Sequence, residues 1–275
     1  LHTRLWRTPE KTVHIRFHRR DPVIPMELKE LTEYLDRYLD VAGVPDYGNA
    51  LNGLQVENTG KVTRIAAAVD ASEASIREAA ERGCDLLLVQ HGLFWDGNRP
   101  VTERRYRRLR LLFEHDIAVY GAHLPLDVHP EVGNNAVLAR ELGIEIDGEF
   151  GDYRGTSVGI QGTLEVKREV LLARLDEVLG GRVQLLPGGP ERLRRVGVLT
   201  GGGGGMIGDA IAAGLDALVT GEGAHHTYFD AVEGGINVYY GGHYATETWG
   251  VRALADHLAD RFGLPTEFID LPTGL

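Results

Sequence analysis

The sequence has one cysteine, Cys84, in 275 residues. That excludes an internal disulfide and any zinc cluster built on thiolates. It points to a reducing compartment, so a cytoplasmic protein is expected. Basic charge is short: 29 Lys and Arg stand against 40 Asp and Glu, a formal net charge of −11. No apolar run approaches the roughly 18 residues of a membrane span, so no membrane partner is expected. No Gly-Lys-Ser or Gly-Lys-Thr follows the glycines at 201–205, which excludes a Walker A loop. No Ser-His-Asp or Cys-His pattern marks a nucleophile, and Cys84 precedes an apolar run and reads as core.

The shortage of positive charge is uneven. Residues 1–25 hold Arg4, Arg7, Lys11, Arg16, Arg19 and Arg20 against Glu10 and Asp21, a net of +4, which leaves −15 for the remainder. A body that acidic repels phosphate backbones, so nucleic acid is not an expected partner of the folded part. Pro9, Pro22 and Pro25 interrupt the first 25 residues, which keep no helical or strand period and contain no apolar segment of a secretory signal. They read as a basic extension, disordered or outside the native fold. The alternative is an arm that grips an acidic partner.

What is present is an alternation of strands and helices. Leu28, Leu31, Leu35, Tyr38 and Leu39 form one helical stripe. A turn-rich loop, 46–53, comes next. Strands are expected at 64–69, 85–90, 117–121, 158–164, 182–186, 195–200, 217–220, 237–240 and 266–269. Helices are expected at 72–82 with Ser72 as N-cap, 104–114 with a very basic outer face, 135–142, 170–179, 206–213, 228–232 and 248–262. This grammar predicts an α/β fold with largely parallel sheets.

The chain also matches itself. At an offset of 131, Ile65–Gly92 lies on Val196–Gly223 without a gap, pairing Gly83 with Gly214, Asp85 with Asp216 and Gly92 with Gly223. At an offset of 120, Tyr120-Gly121-Ala122-His123 lies on Tyr240-Gly241-Gly242-His243, and Asp127 falls on Glu247. The expectation is two similar α/β lobes from an internal duplication: residues 26–150 plus 236–275 in the first, 151–235 in the second.

Ligands collect at the carboxyl ends of strands in such sheets. Three of those ends carry His or carboxylate: Gln90-His91, His123 with Asp127, and His243 with Glu247. Imidazole and carboxylate without thiolate suit Zn, Mn, Fe, Ni or Co, and a carboxylate can bridge two cations. The glycines at 201–205, Gly203 among them, form a strand-to-helix turn with some capacity for an anion. Glu222, His225 and His226 come after the strand at 217–220, where they can line the cleft or bind substrate.

Asn52-Gly53-Leu54-Gln55-Val56, Gln90-His91-Gly92-Leu93-Phe94-Trp95, His123-Leu124-Pro125-Leu126-Asp127, Gly133-Asn134-Asn135-Ala136 and Gly242-His243-Tyr244-Ala245-Thr246-Glu247 together resemble the NGG-interacting-factor-three-like family, whose members are often named GTP cyclohydrolase I type 2 homologs. The resemblance runs from about Met26 to the C-terminus. It implies two duplicated lobes with a dinuclear metal site in the cleft between them, in a hexamer built as a trimer of dimers. The family's ligands fall on His91, Asp127, His243 and Glu247. The first His of the family's His-His pair is Gln90 here, a neutral and poorer ligand, and His123 is the candidate to supply the missing nitrogen. Two functions are implied. One is a hydrolase that uses two divalent cations (Zn, Fe, Mn or Ni) on a nucleotide-like small substrate, with Asp127 and Glu247 as catalytic residues and Glu222, His226 and Gly203 as substrate contacts. The other is a non-catalytic metal-binding hexameric scaffold or regulatory adaptor.

Overall fold

The computed structural model describes residues 24–275. The basic extension expected at 1–25 falls, apart from Ile24 and Pro25, outside the described residues. The chain folds as mixed α/β around two sheets. The first has five strands in the spatial order Thr266–Phe268, Ile65–Asp70, Leu86–His91, Ala118–Gly121, Gly53–Val56. All neighbours in it are parallel except the last pair. The second has six strands in the order Glu145–Tyr153, Thr156–Lys167, Arg192–Leu199, Ala217–Thr220, Asn237–Tyr240, Gln184–Pro187. Only its central three strands run parallel. The expectation of largely parallel sheets therefore holds for the first and not for the second, whose flanks are antiparallel ribbons.

Both sheets are covered on both faces, which is why their central strands are apolar throughout rather than alternating. In the first sheet Ile65, Ala67, Leu86 and Leu88 pack under helices Leu28–Tyr38 and His243–Phe262. Ala66, Ala68, Leu87 and Val89 pack on the opposite side, with Ile76, Ala79 and Leu112 of helices Glu73–Glu81 and Glu103–Glu114. In the second sheet Val196, Val198, Ala217 and Val219 meet helices Asn134–Glu141 and Arg168–Leu179. Leu218 and Val238 meet helices Ile207–Ala212 and Thr227–Gly234. Cys84 lies in the first core, where burial pushes its thiol up to about 11 and leaves it unreactive. Ser72 is an N-cap, as the pattern predicts, with Ser75 completing a reciprocal capping box.

Two local differences matter for the site. The last long helix starts at His243, five residues before the expected start, so His243 and Glu247 share one helix face. Sheet membership also divides the chain at points other than the expected 150 and 236, because strands Glu145–Tyr153 and Asn237–Tyr240 both belong to the second sheet. Their backbones complete that sheet's hydrogen bonding, which single-sequence periodicity does not report. Among the described residues no helix is long and apolar enough to cross a membrane.

Candidate metal centre

Parallel pairing brings the first of the site residues together. Asp70 and His91 are register partners at the carboxyl ends of adjacent strands. His123 comes after the next strand, and Asp127 ends the one-turn helix Leu124–Asp127. His243 and Glu247 enter from helix His243–Phe262, one turn apart. All of them line one cavity of about 520 Å³.

Each of the three imidazoles is held from behind by a carboxylate. His91 Nδ1 lies 3.0 Å from Asp70 Oδ1, His123 Nδ1 2.9 Å from Asp46 Oδ1, and His243 Nδ1 2.8 Å from Glu222 Oε1. In a neutral ring a carboxylate on Nδ1 selects the tautomer whose Nε2 carries the lone pair and raises the basicity of that nitrogen, the arrangement found behind metal-ligating histidines. The His91 ring centre is 5.4 Å from that of His243 and 5.7 Å from that of His123. Glu247 Oε2 sits 3.4 Å from His91 Nε2 and 3.2 Å from His243 Nε2. It is buried and makes no well-formed hydrogen bond, its charge facing these two imidazole nitrogens. His91, His243 and Glu247 thus present three ligand atoms within 4.8 Å of one another. An orphaned carboxylate oxygen facing two imidazole nitrogens fits a divalent cation of the Zn, Mn or Fe type.

Asp127 and His123 line the same cavity but stand outside that compact trio. Asp127 Oδ1 accepts from Gln90 Nε2 at 2.9 Å and Asn134 Nδ2 at 2.8 Å, and Asn134 also donates to Gln90 Oε1 at 3.2 Å. Gln90, fully buried, turns its amide toward this network and orients Asp127, rather than offering an oxygen beside the trio. Burial, and then the charge of Glu247, push the Asp127 carboxyl up to about 6, against the pull of His123 and the Asn134 hydrogen bond. Contact with Glu247 pushes His243 up to about 9; burial opposes this, and Glu222 adds to it. Burial alone would lower His123, but the Asp46 hydrogen bond and the charges of Asp127, Asp46 and Glu247 outweigh it and raise it.

The glycine turn serves the carboxylate. Gly201 has φ +67°, and a Cβ there would collide with Glu247 Oε1. Its capacity for an anion is small. Gly201 N–H donates to Thr246 Oγ1, Gly203 N–H to Thr220 Oγ1 and Gly204 N–H to Glu222 O. Of the three expected substrate contacts, Gly203 lies on the cavity wall, and Glu222 supports His243 from behind. His226 is exposed at the start of helix Thr227–Gly234 and is not on that wall.

Sequence reasoning did not find Asp46, Asp70, Tyr47 or Tyr153. Asp70 ends a strand beside the His91 strand, a usable signal; the other three lie in turns or on a ribbon edge with no pattern of their own. Tyr47, Trp95 and Tyr153 form an aromatic wall, with Tyr47 5.2 Å from Tyr153 and 6.2 Å from Trp95 between ring centres. Trp95 Nε1 and Tyr153 Oη are buried there without a hydrogen-bond partner.

Comparison with known proteins places this geometry. A protein of Deinococcus radiodurans named "GTP cyclohydrolase 1 type 2 homolog" is 46% identical over 248 residues, covering 90% of this chain and 94% of its own. One of the same name from Escherichia coli strain K12 is 41% identical over 256 residues, covering 90% and 99%. A solved protein of Thermus thermophilus superposes with a TM-score of 0.83 at 42% identity, covering 91% of this chain and all of that one. Reduced HcgD from Methanocaldococcus jannaschii superposes with a TM-score of 0.78 at 25% identity, covering 90% of this chain and all of that one. The model of the Duf34/NIF3 (NGG1p interacting factor 3) family matches residues 26–273, and the chain belongs to that family.

Proposed function

We propose that the protein is a divalent-metal-dependent hydrolase acting on a small, nucleotide-like substrate. The carrying observation is the trio of His91, His243 and Glu247, with a buried carboxylate oxygen left unpartnered between two imidazoles that carboxylates orient. His91, His243 and Glu247 would hold one cation, and Asp127 with His123 would complete a second position beside it. Cations held there supply Lewis acidity and lower the pKa of water from about 16 toward about 7. Asp70 and Glu222 hold the two imidazoles by Nδ1 and so direct Nε2 into the site, while Gln90 and Asn134 fix the direction of Asp127. The aromatic wall excludes water and offers a flat face to a planar base.

The same reading includes an internal duplication. Asp85 accepts from the backbone N–H groups of Thr63 and Arg64, and Asp216 from those of Arg194 and Arg195, the same bonds at the offset of 131. It also includes two lobes, about 26–144 with 241–275 and about 145–240, and the hexamer, a trimer of dimers, that the family resemblance implies. The test is turnover of a panel of nucleotides and pterin precursors after reconstitution with Mn, Zn or Fe. Turnover by the wild type and its loss in Asp127→Ala are expected. No turnover by the metal-loaded wild type, or equal turnover by the variant, would sink the reading.

A second reading, a metal-binding scaffold without catalysis, is favoured by one observation: Gln90 gives no imidazole and spends its amide on Asp127. It expects chelation to lower the melting temperature or break the assembly while no substrate turns over.

A further inference from the structure

Helix Glu103–Glu114 carries five arginines in a body of net negative charge. Four are paired: Arg104 and Arg105 share Asp96, Arg107 meets Glu73, and Arg110 meets Glu114. Among the described residues Arg108 makes no ion pair and no side-chain hydrogen bond, and its Nε is buried without a partner. A half-buried guanidinium left unpaired is unfavourable unless a ligand completes it, since Arg stays charged throughout the accessible pH range.

Arg108 opens on a second cavity of about 370 Å³. Arg104 stands in the same wall, and the cavity shares Asp70, His91 and Trp95 with the metal cavity. The two spaces therefore abut across the His91 side chain. The two carboxylates in this wall are already engaged, Asp70 by His91 and Asp96 by Arg104 and Arg105, so neither answers Arg108. A guanidinium with vacant donors favours oxyanions, which it binds through paired N–H groups.

We propose that this second cavity is an oxyanion subsite in which Arg108, with Arg104 in the same wall, binds a phosphate-like group. The group is either the tail of the ligand in the metal cavity or a separate inorganic anion. The first source rests on the proposed function; the subsite itself does not.

The test is calorimetric titration of the full chain, metal-loaded, with inorganic pyrophosphate. Arg108→Gln should weaken binding by about tenfold or more, the scale of a lost charge-assisted hydrogen bond. Arg108→Lys, which keeps the charge, should retain part of the affinity, and Arg108→Gln should unfold at no lower denaturant concentration than the wild type. In a His243→Ala background the Arg108→Gln loss should persist. Unchanged binding in Arg108→Gln, or a loss that tracks His243→Ala instead, would overturn the subsite. A nucleoside monophosphate that binds tighter than both its nucleoside and phosphate, through Arg108, identifies the tail; no gain over phosphate identifies the free anion. Absence of bound metal or of turnover, with Arg108-dependent binding intact, would count against the proposed function and leave the subsite standing.

Discussion

The two sheets place different chemistry at matching points. At the offset of 131, His91 of the first sheet corresponds to Glu222 of the second. His91 aims Nε2 at Glu247, whereas Glu222 stands behind His243 and holds its Nδ1. The same strand end thus provides a proposed ligand in one sheet and the support of a proposed ligand in the other. Asp70 and Gly201 correspond in the same way: one orients His91, and the other leaves room for Glu247. Similar backbones fix where a side chain stands, and its residue type decides what it does there.

The sharpest way to break this comparison is to remove the ligands. His91→Ala and His243→Ala should each lower zinc affinity by more than about a hundredfold, beyond the range for supporting residues. The measurement is competition against a chelating dye, and near-wild-type affinity in either would end the case for the trio. The supports come next. Asp70→Ala and Glu222→Ala should each weaken zinc by about tenfold to a hundredfold. A difference between them larger than about tenfold would show that Asp70 and Glu222 do not support the two histidines equivalently.

A pH series sharpens the comparison at His243. In the metal-free protein His243 is held protonated up to about 9, above its ordinary value near 6.5. An imidazole must lose its proton to ligate. Zinc affinity should therefore rise between pH 6.5 and 9, by at most about tenfold per unit for one displaced proton. The sign for stability is opposite. The contact with Glu247 stabilises the metal-free fold fully below 6.5, and that contribution is lost as pH rises through about 9. Denaturation of metal-free protein at pH 6.5 and 9 checks this, and Glu247→Gln should flatten the difference.

The smallest effect tests the duplicated bonds. Asp85→Ala and Asp216→Ala should each cost about 1–3 kcal/mol for unsatisfied backbone donors. Asp85 should cost more, because it also accepts from Thr63 Oγ1. Urea denaturation measures both, and a neutral Asp216→Ala would show that its match to Asp85 has no energetic counterpart.

Much of the site was legible in the sequence because the fold's grammar is local. The run LLLV at 86–89 is a strand by composition, so Gln90 and His91 stand at a strand end. Helix Glu73–Glu81 announces its start with Ser72 and its end with Gly83. His91, His123, Asp127, His243 and Glu247 were found by position, and one cavity receives them all. Gln90 was legible as a departure but not as a donor, because its role depends on Asn134 and Asp127, 44 and 37 residues away. Asp46 sits in a loop whose turn formers hide it, and it supports a histidine 77 residues on.

The sequence by itself determined the alternating α/β elements, the match of two segments at a fixed offset and the absence of thiolate ligands. These come from periodicity, turn residues and composition, which act over a few residues at a time. Only the tertiary structure decided that Glu247 Oε2 lies unpartnered between two imidazoles and that a carboxylate stands behind each histidine. It also decided that Arg108, among the arginines of its helix, is the one whose Nε is buried without a partner. Those facts depend on which distant strand ends the packed sheets bring within hydrogen-bonding reach. Such proximity is set by the burial of whole faces rather than by any residue's neighbours in the chain.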